Sequence, residues 1–171
     1  MLLEINFILL LAIILFSGCS HGMISLWKNI NSVHDQIYMG RVSRDLLAIL
    51  EFQLTFHTQV AKIQNVEGRC VLHCSCLGGA KEKSFFCKKY PKVNAYGFYQ
   101  SVQTKGKTPG INPLSPPDMG VTSFQVKRLS KHMVKVDFTL TVLGTGRHKA
   151  YTGILYLRNG VKQRKKKVAA L

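Results

Sequence analysis

The chain has 171 residues and a mass of 19.2 kDa, room for one compact domain and an additional helical segment but not for two full domains. Its 46% hydrophobic content excludes a disordered polymer, and 24 Lys+Arg against 8 Asp+Glu give a net charge of +16. Such a charge draws nucleic acid, anionic lipid or acidic protein surfaces without selecting among them.

The N-terminus is apolar. From Leu2 to Cys19 only Glu4, Asn6, Ser17 and Gly18 break the pattern, and the run from Phe7 to Phe16 is unbroken. As a helix rising about 1.5 Å per residue, the stretch from Leu2 to Trp27 reaches across a bilayer core of roughly 30 Å, with Trp27 at the interface. A secretory signal peptide does not fit, because no Lys or Arg occurs before Lys28. The segment Phe16-Ser17-Gly18-Cys19 resembles a bacterial lipobox. It implies an alternative: an exported lipoprotein lipidated at Cys19, whose basic domain binds an envelope ligand. A lipoprotein needs a flexible tether at this point, and the helical pattern instead runs on past Cys19. Glu4 is the informative residue, since a carboxylate this far into an apolar helix costs about 2.5 to 3.5 kcal/mol on insertion scales and calls for an opposing charge.

Leu2-Leu3-Glu4-Ile5, followed by Phe7-Ile8-Leu9-Leu10-Leu11-Ala12-Ile13-Ile14-Leu15, resembles the mature N-terminus of type IV pilin-like proteins, in particular the minor pseudopilins. The chain begins at Met1, without the short basic leader ending in Gly that the family carries. The resemblance implies an α+β fold, with a long N-terminal helix, half in the membrane and half amphipathic, packed on a small antiparallel β-sheet. It implies that Glu4, flanked by Leu3 and Ile5, neutralises the α-amino group of a neighbouring pilin-like subunit in a short filament or its tip. The setting would be a type II secretion, competence or type IV pilus machine. The expected location is the bacterial inner membrane, crossed once, with the globular domain on the periplasmic side.

Residues 1–22 are thus expected as the hydrophobic membrane or filament-core helix and 23–62 as an amphipathic helix. In the second segment apolar residues recur at Met23, Ile24, Trp27, Ile30, Val33 and Ile37, then at Val42, Leu46, Ile49, Leu50 and Leu54. After Gln64 the period changes, and residues 63–160 are expected as a β-rich domain. Cys70, Cys74, Cys76 and Cys87 cluster without a Cys-x2-Cys knuckle, which favours disulfides over zinc. On a strand, Cys70, Leu72, Cys74 and Cys76 share one face, and a turn in Leu77–Lys83 brings Cys87 back to one of them. Spacing alone leaves the pairing open, with free buried thiols as a further option.

Prolines and glycines from Lys105 to Gly120 mark a loop. Beyond it, Val134, Val136, Phe138, Leu140 and Val142 alternate strictly with Lys135, Asp137, Thr139 and Thr141, which makes Met133–Leu143 a half-buried strand. Val121–Leu129 and Tyr151–Arg158 read as its antiparallel neighbours. Residues 161–171 form a basic tail.

Catalytic motifs fail on inspection. Gly106-Lys107-Thr108 lacks the upstream glycine of a phosphate-binding loop, and Pro109 stands where a helix should begin. His73 lies among the cysteines, but strand neighbours point to opposite faces. No Gly-x-Ser-x-Gly, His-Glu-x-x-His or paired-carboxylate arrangement occurs. Neither catalysis, a metal nor a cofactor is therefore expected. The expected partners are other pilin-like subunits and the inner membrane, with weak DNA or anionic-surface contact through the basic residues.

Overall fold

A computed structural model describes the backbone of residues 2–66, 69–76, 78–90 and 94–159, and their side chains except those of residues 2–16, 18, 19, 60 and 66. The order of elements is α1 (Leu2–Phe52), a π-helical turn (Gln53–His57), β1 (Thr58–Val66), β2 (Arg69–Cys76), β3 (Lys81–Lys89), β4 (Tyr96–Thr104), β5 (Gly110–Pro113), β6 (Met119–Arg128), β7 (Met133–Val142) and β8 (His148–Tyr156). The fold is α+β, with two compact units, residues 1–38 and 39–171. In place of the one small sheet expected there are two antiparallel meanders, β1-β2-β3-β4-β5 and β6-β7-β8.

Alternation builds the second meander. Val134, Val136, Phe138, Leu140 and Val142 of β7 are all buried, and the residues between them are not. The β6–β7 turn closes where Ser130 Oγ accepts the His132 N–H, and the β7–β8 turn closes at Gly146, whose φ of 69° is left-handed. The first meander begins with the β1–β2 hairpin, and β2 turns into β3 through Gly78 and Gly79, at φ 90° and 66°. Within the expected loop from Lys105 to Gly120, β5 pairs with β4 from Tyr99↔Pro113 to Val102↔Gly110. The Pro-rich stretch thus ends a sheet instead of merely crossing between two, as proline is tolerated on an edge strand.

The second unit is held by the last turns of α1. Met39, Val42, Leu46, Leu50 and, in the π turn, Leu54 are buried, a spacing of three and four that keeps them on one helical face. Leu46 and Leu50 converge on Phe98 of β4, Val121 and Phe124 of β6 and Phe138 of β7, so both sheets meet the same helix face. A row of rings reinforces the junction: Phe85 stacks on Phe98 at 6.4 Å between centroids, and Phe98 tilts against Phe124 at 4.8 Å. The connection from β5 to β6 is tied by Tyr90, whose hydroxyl lies 2.9 Å from Ser115 Oγ, 3.0 Å from the Pro116 carbonyl and 3.1 Å from the Met119 carbonyl. Ser115 Oγ in turn accepts the Phe98 N–H at 2.9 Å.

One expectation is overturned. Among the described residues no helix is long and apolar enough to cross a membrane, which contradicts the single-pass inner-membrane placement. The physical reason lies beyond Phe16, where Ser17, Ser20, His21, Ser25, Lys28, Asn29 and Asn31 interrupt the apolar sequence and would each need a polar partner in lipid. The α-helix ends at Phe52 and the π turn at His57, short of the expected residue 62.

Gly97 supplies the test of this packing. A Cβ there would collide with the Tyr90 ring, whose far end is held by the Ser115 network. Gly97→Ala is expected to destabilise the protein by about 1–3 kcal/mol in urea unfolding. The same substitution in a Tyr90→Ala background, where the ring is gone, should cost nearly nothing.

Candidate functional site

Two features have the character of a site, one in each unit. In the first unit an apolar stripe of the described part of the helix is uncovered: Met23, Leu26, Ile30, Val33 and Ile37 are between 52% and 73% exposed. Their spacing, alternately three and four residues, is that of the a and d positions of a heptad. Ile24 and Trp27 widen the stripe and are exposed as well. Lys28, Asn29, Asn31, Ser32, His34, Asp35 and Gln36 fall outside the a and d positions, so the seam from Met23 to Ile37 is wholly apolar. An isolated helix gains nothing from exposing such a stripe, because helical stability in water comes mostly from packing an apolar face. The side chains of Leu3, Glu4, Ile5 and Cys19 lie outside the described residues, as does the basic tail, 161–171.

In the second unit β2 alternates, with Cys70, Leu72, Cys74 and Cys76 all turned to the buried side. Cys70, Cys74, Cys76 and Cys87 are free thiols in the structure. Cys74 lies opposite Ala61 on β1 and Lys83 on β3, and Cys76 lies opposite Thr58. Burial pushes the Cys74 thiol up to about 12, against the opposing hydrogen bond of Thr58. Burial likewise pushes Cys87 up to about 12, with Cys70 adding to the rise and Arg69 opposing it. The Cys70 thiol is also raised by burial, partly offset by a hydrogen bond to the Val126 main chain.

Cys70 and Cys87 share a cavity of about 430 Å³ between the two sheets. Val121, Phe124 and Val126 of β6 give it an apolar wall. Arg69, Tyr96 and Lys127 give it a cationic, aromatic side, in which the Arg69 guanidinium carbon sits 4.7 Å from the Tyr96 ring centroid and Arg69 donates to the Tyr96 hydroxyl at 2.9 Å. His73 is not part of it: its Nδ1 lies 2.8 Å from Ser84 Oγ, and burial lowers its pKa. Among the described residues no group of three or more His, Cys, Asp or Glu is placed to hold a metal ion.

The sequence reading misses this cavity, although one signal for it is present. Gly78 and Gly79 lie midway between Cys70 and Cys87, eight residues from each. A hairpin turning at those glycines brings the two cysteines back to one cavity. Arg69, Tyr96 and Lys127 carry no such signal, since their approach depends on how the two sheets meet.

Comparison of the chain with protein-family models, with curated proteins and with solved structures found no match.

The buried thiols have a consequence at alkaline pH. In the folded, reduced protein Cys74 and Cys87 stay protonated to about pH 12, whereas in the unfolded chain they ionise near the ordinary thiol value of 9.0. Between those limits the unfolded state binds fewer protons, so stability falls as pH rises. Urea midpoints of the reduced protein should therefore hold from neutral pH to about pH 9 and decline towards pH 12. Replacing Cys74 with Ala should flatten that decline.

Proposed function

We propose that the chain is a non-catalytic structural subunit of the pilin-like kind, which assembles by packing its N-terminal helix against the equivalent helices of neighbouring subunits. The product is a short filament or the tip of one, in a type II secretion, competence or type IV pilus machine. The observation that carries this reading is the uncovered a/d stripe from Met23 to Ile37. Five apolar side chains in heptad register fit a partner helix of the same spacing, into whose holes they insert as knobs. In sequence the spacing continues back through Cys19 and Phe16, so that the seam leads into the apolar stretch containing Glu4. Glu4 acts there as the resemblance implies, pairing with a neighbour's α-amino group and fixing the axial register of the assembly. An ion pair inside an apolar bundle suits this role, because a misregistered neighbour leaves a charge unpaired.

The α+β arrangement supports the same reading. The helical turns from Met39 onward are occupied in holding the two sheets, while those from Met23 to Ile37 carry a second apolar set that the chain itself leaves in solvent. The basic residues serve solubility and contact with anionic surfaces, DNA phosphates among them.

A benzophenone photo-crosslinker placed at Ile30 tests the reading, with Lys28 as the off-stripe control. Illumination of the full chain should join copies through Ile30 and not through Lys28. Equal yields at the two positions, or none at Ile30, overturn the proposal. Ile30→Glu should weaken association at least about tenfold in sedimentation velocity, because it buries an unpaired charge in the seam. The near-ultraviolet circular dichroism of the β domain should not change.

A further inference from the structure

We propose that Cys70 and Cys87 are the oxidisable pair of the second unit, closing a cross-strand disulfide between β2 and β3, while Cys74 and Cys76 remain buried thiols in both redox states. The bond lies wholly within the second unit and is independent of the helix assembly proposed above.

Strand register selects the pair. The β2–β3 ladder runs Ser75↔Glu82, Cys74↔Lys83, His73↔Ser84 and Leu72↔Phe85. Continued by two residues it sets Cys70 opposite Cys87. Directly opposed residues on antiparallel strands have Cα separations of about 4.5–5.5 Å, within the range that a disulfide spans. Both thiols also border the same cavity, and Cys70 influences the ionisation of Cys87. No other pairing among these four satisfies the same conditions. Cys74 and Cys76 are two apart on an extended strand, so their Cα atoms are about 6.6 Å apart and their side chains run parallel. Across the ladders Cys74 faces Ala61 and Lys83, Cys76 faces Thr58, and neither meets a cysteine.

The surroundings give the pair its redox character. The paired register stops at Leu72↔Phe85, and the cavity borders both thiols just beyond that point. A bond there extends the β2–β3 pairing by two residues and narrows the cavity. Access comes from the same opening, because Cys87 is only part-buried whereas Cys70 is buried. The thiolate is the attacking species, and although Arg69 borders the cavity and favours it at Cys87, burial outweighs that effect and makes the exchange slow near neutral pH. With a small disulfide such as oxidised glutathione as oxidant, the Cys87 thiolate attacks one sulfur and releases a glutathione thiolate. The Cys70 thiolate then attacks Cys87 Sγ in the mixed disulfide and releases the second. Two protein thiols lose two electrons and two protons, and one glutathione disulfide becomes two glutathione thiols.

Disulfide mapping after equilibration of the full chain with excess oxidised glutathione decides the matter. Chymotrypsin, which cuts after Leu72, separates Cys70 from Cys74 and Cys76. The expected product is an intramolecular bridge between the Cys70 and Cys87 peptides, with Cys74 and Cys76 recovered as alkylated thiols after denaturation. Oxidation should raise the melting temperature of the wild type, of Cys74→Ala and of Cys76→Ala by about 5–10 °C, and leave that of Cys87→Ala unchanged. A bridge through Cys74 or Cys76, or alkylation of Cys70 and Cys87 together with the other two after oxidation, overturns the assignment. So does a melting shift that survives in Cys87→Ala.

Discussion

Among the described residues the two sheets share no ladder, and the second unit depends on how they are nevertheless held together. β5 ends one meander and β6 begins the other, with only residues 114–118 between them. Side chains must therefore do what backbone hydrogen bonds do elsewhere in the fold. Leu46 and Leu50 provide the common surface, Phe98 and Phe124 the direct contact between sheets, and Tyr90 with Ser115 the polar tie across the connection. The arrangement follows from sequence composition. A helix face built of Leu and Met at positions three and four apart is wide enough to receive two sheets, and aromatic rings fill the angle where they diverge.

The end of the helix sets the register of the strands that leave it. Across the π turn the Thr58 hydroxyl donates to the Gln53 carbonyl at 2.7 Å. Thr55 Oγ1 donates to the Tyr156 carbonyl at 3.0 Å, Asn159 Nδ2 donates to the Thr58 carbonyl at 3.1 Å, and Lys83 donates to the Gln53 side-chain oxygen. These bonds join the helix exit to β1, to β3 and to the last strand of the other meander. A helix carried on to residue 62 would replace the start of β1 and lose the bonds made at Thr58. That is why the turn from helix to strand comes at residues 53–58, although Leu54 still follows the helical spacing of apolar residues.

Much of this is legible in the sequence where one physical signal acts alone. The strict alternation of β7 predicts its buried and exposed faces residue by residue, and the alternation of Cys70, Leu72, Cys74 and Cys76 predicts the buried face of β2. Legibility fails where local pattern and tertiary context compete. β5 is four exposed residues ending at a proline, with nothing in its composition to separate it from a loop. The existence of two sheets depends on the contact between Phe98 and Phe124, which are 26 positions apart in the sequence. The apolar N-terminus departs furthest from expectation, because a run of hydrophobic residues long enough for a filament core or buried helix reads as a membrane span only when extended through Ser20, His21, Ser25 and Lys28. A mean of hydrophobic character over that stretch conceals what its phase reveals. Met23, Leu26, Ile30, Val33 and Ile37 lie in a heptad seam, a pattern suited to packing on another helix.

The cysteines show the same dependence on register. By number they permit several pairings, and by composition they cannot be told from four small hydrophobes of the kind that fill cores. Once the hairpin turns at Gly78 and Gly79, two of the four border one cavity and two face an alanine, a lysine and a threonine instead. Their surroundings then separate them further. Cys74 and Cys76 are enclosed beside the helix exit, Cys74 against Thr58, whereas Cys70 and Cys87 border an opening that carries a guanidinium group. Surroundings that the residue type leaves undecided thus follow from two left-handed glycines, whose contribution is the direction in which the chain returns.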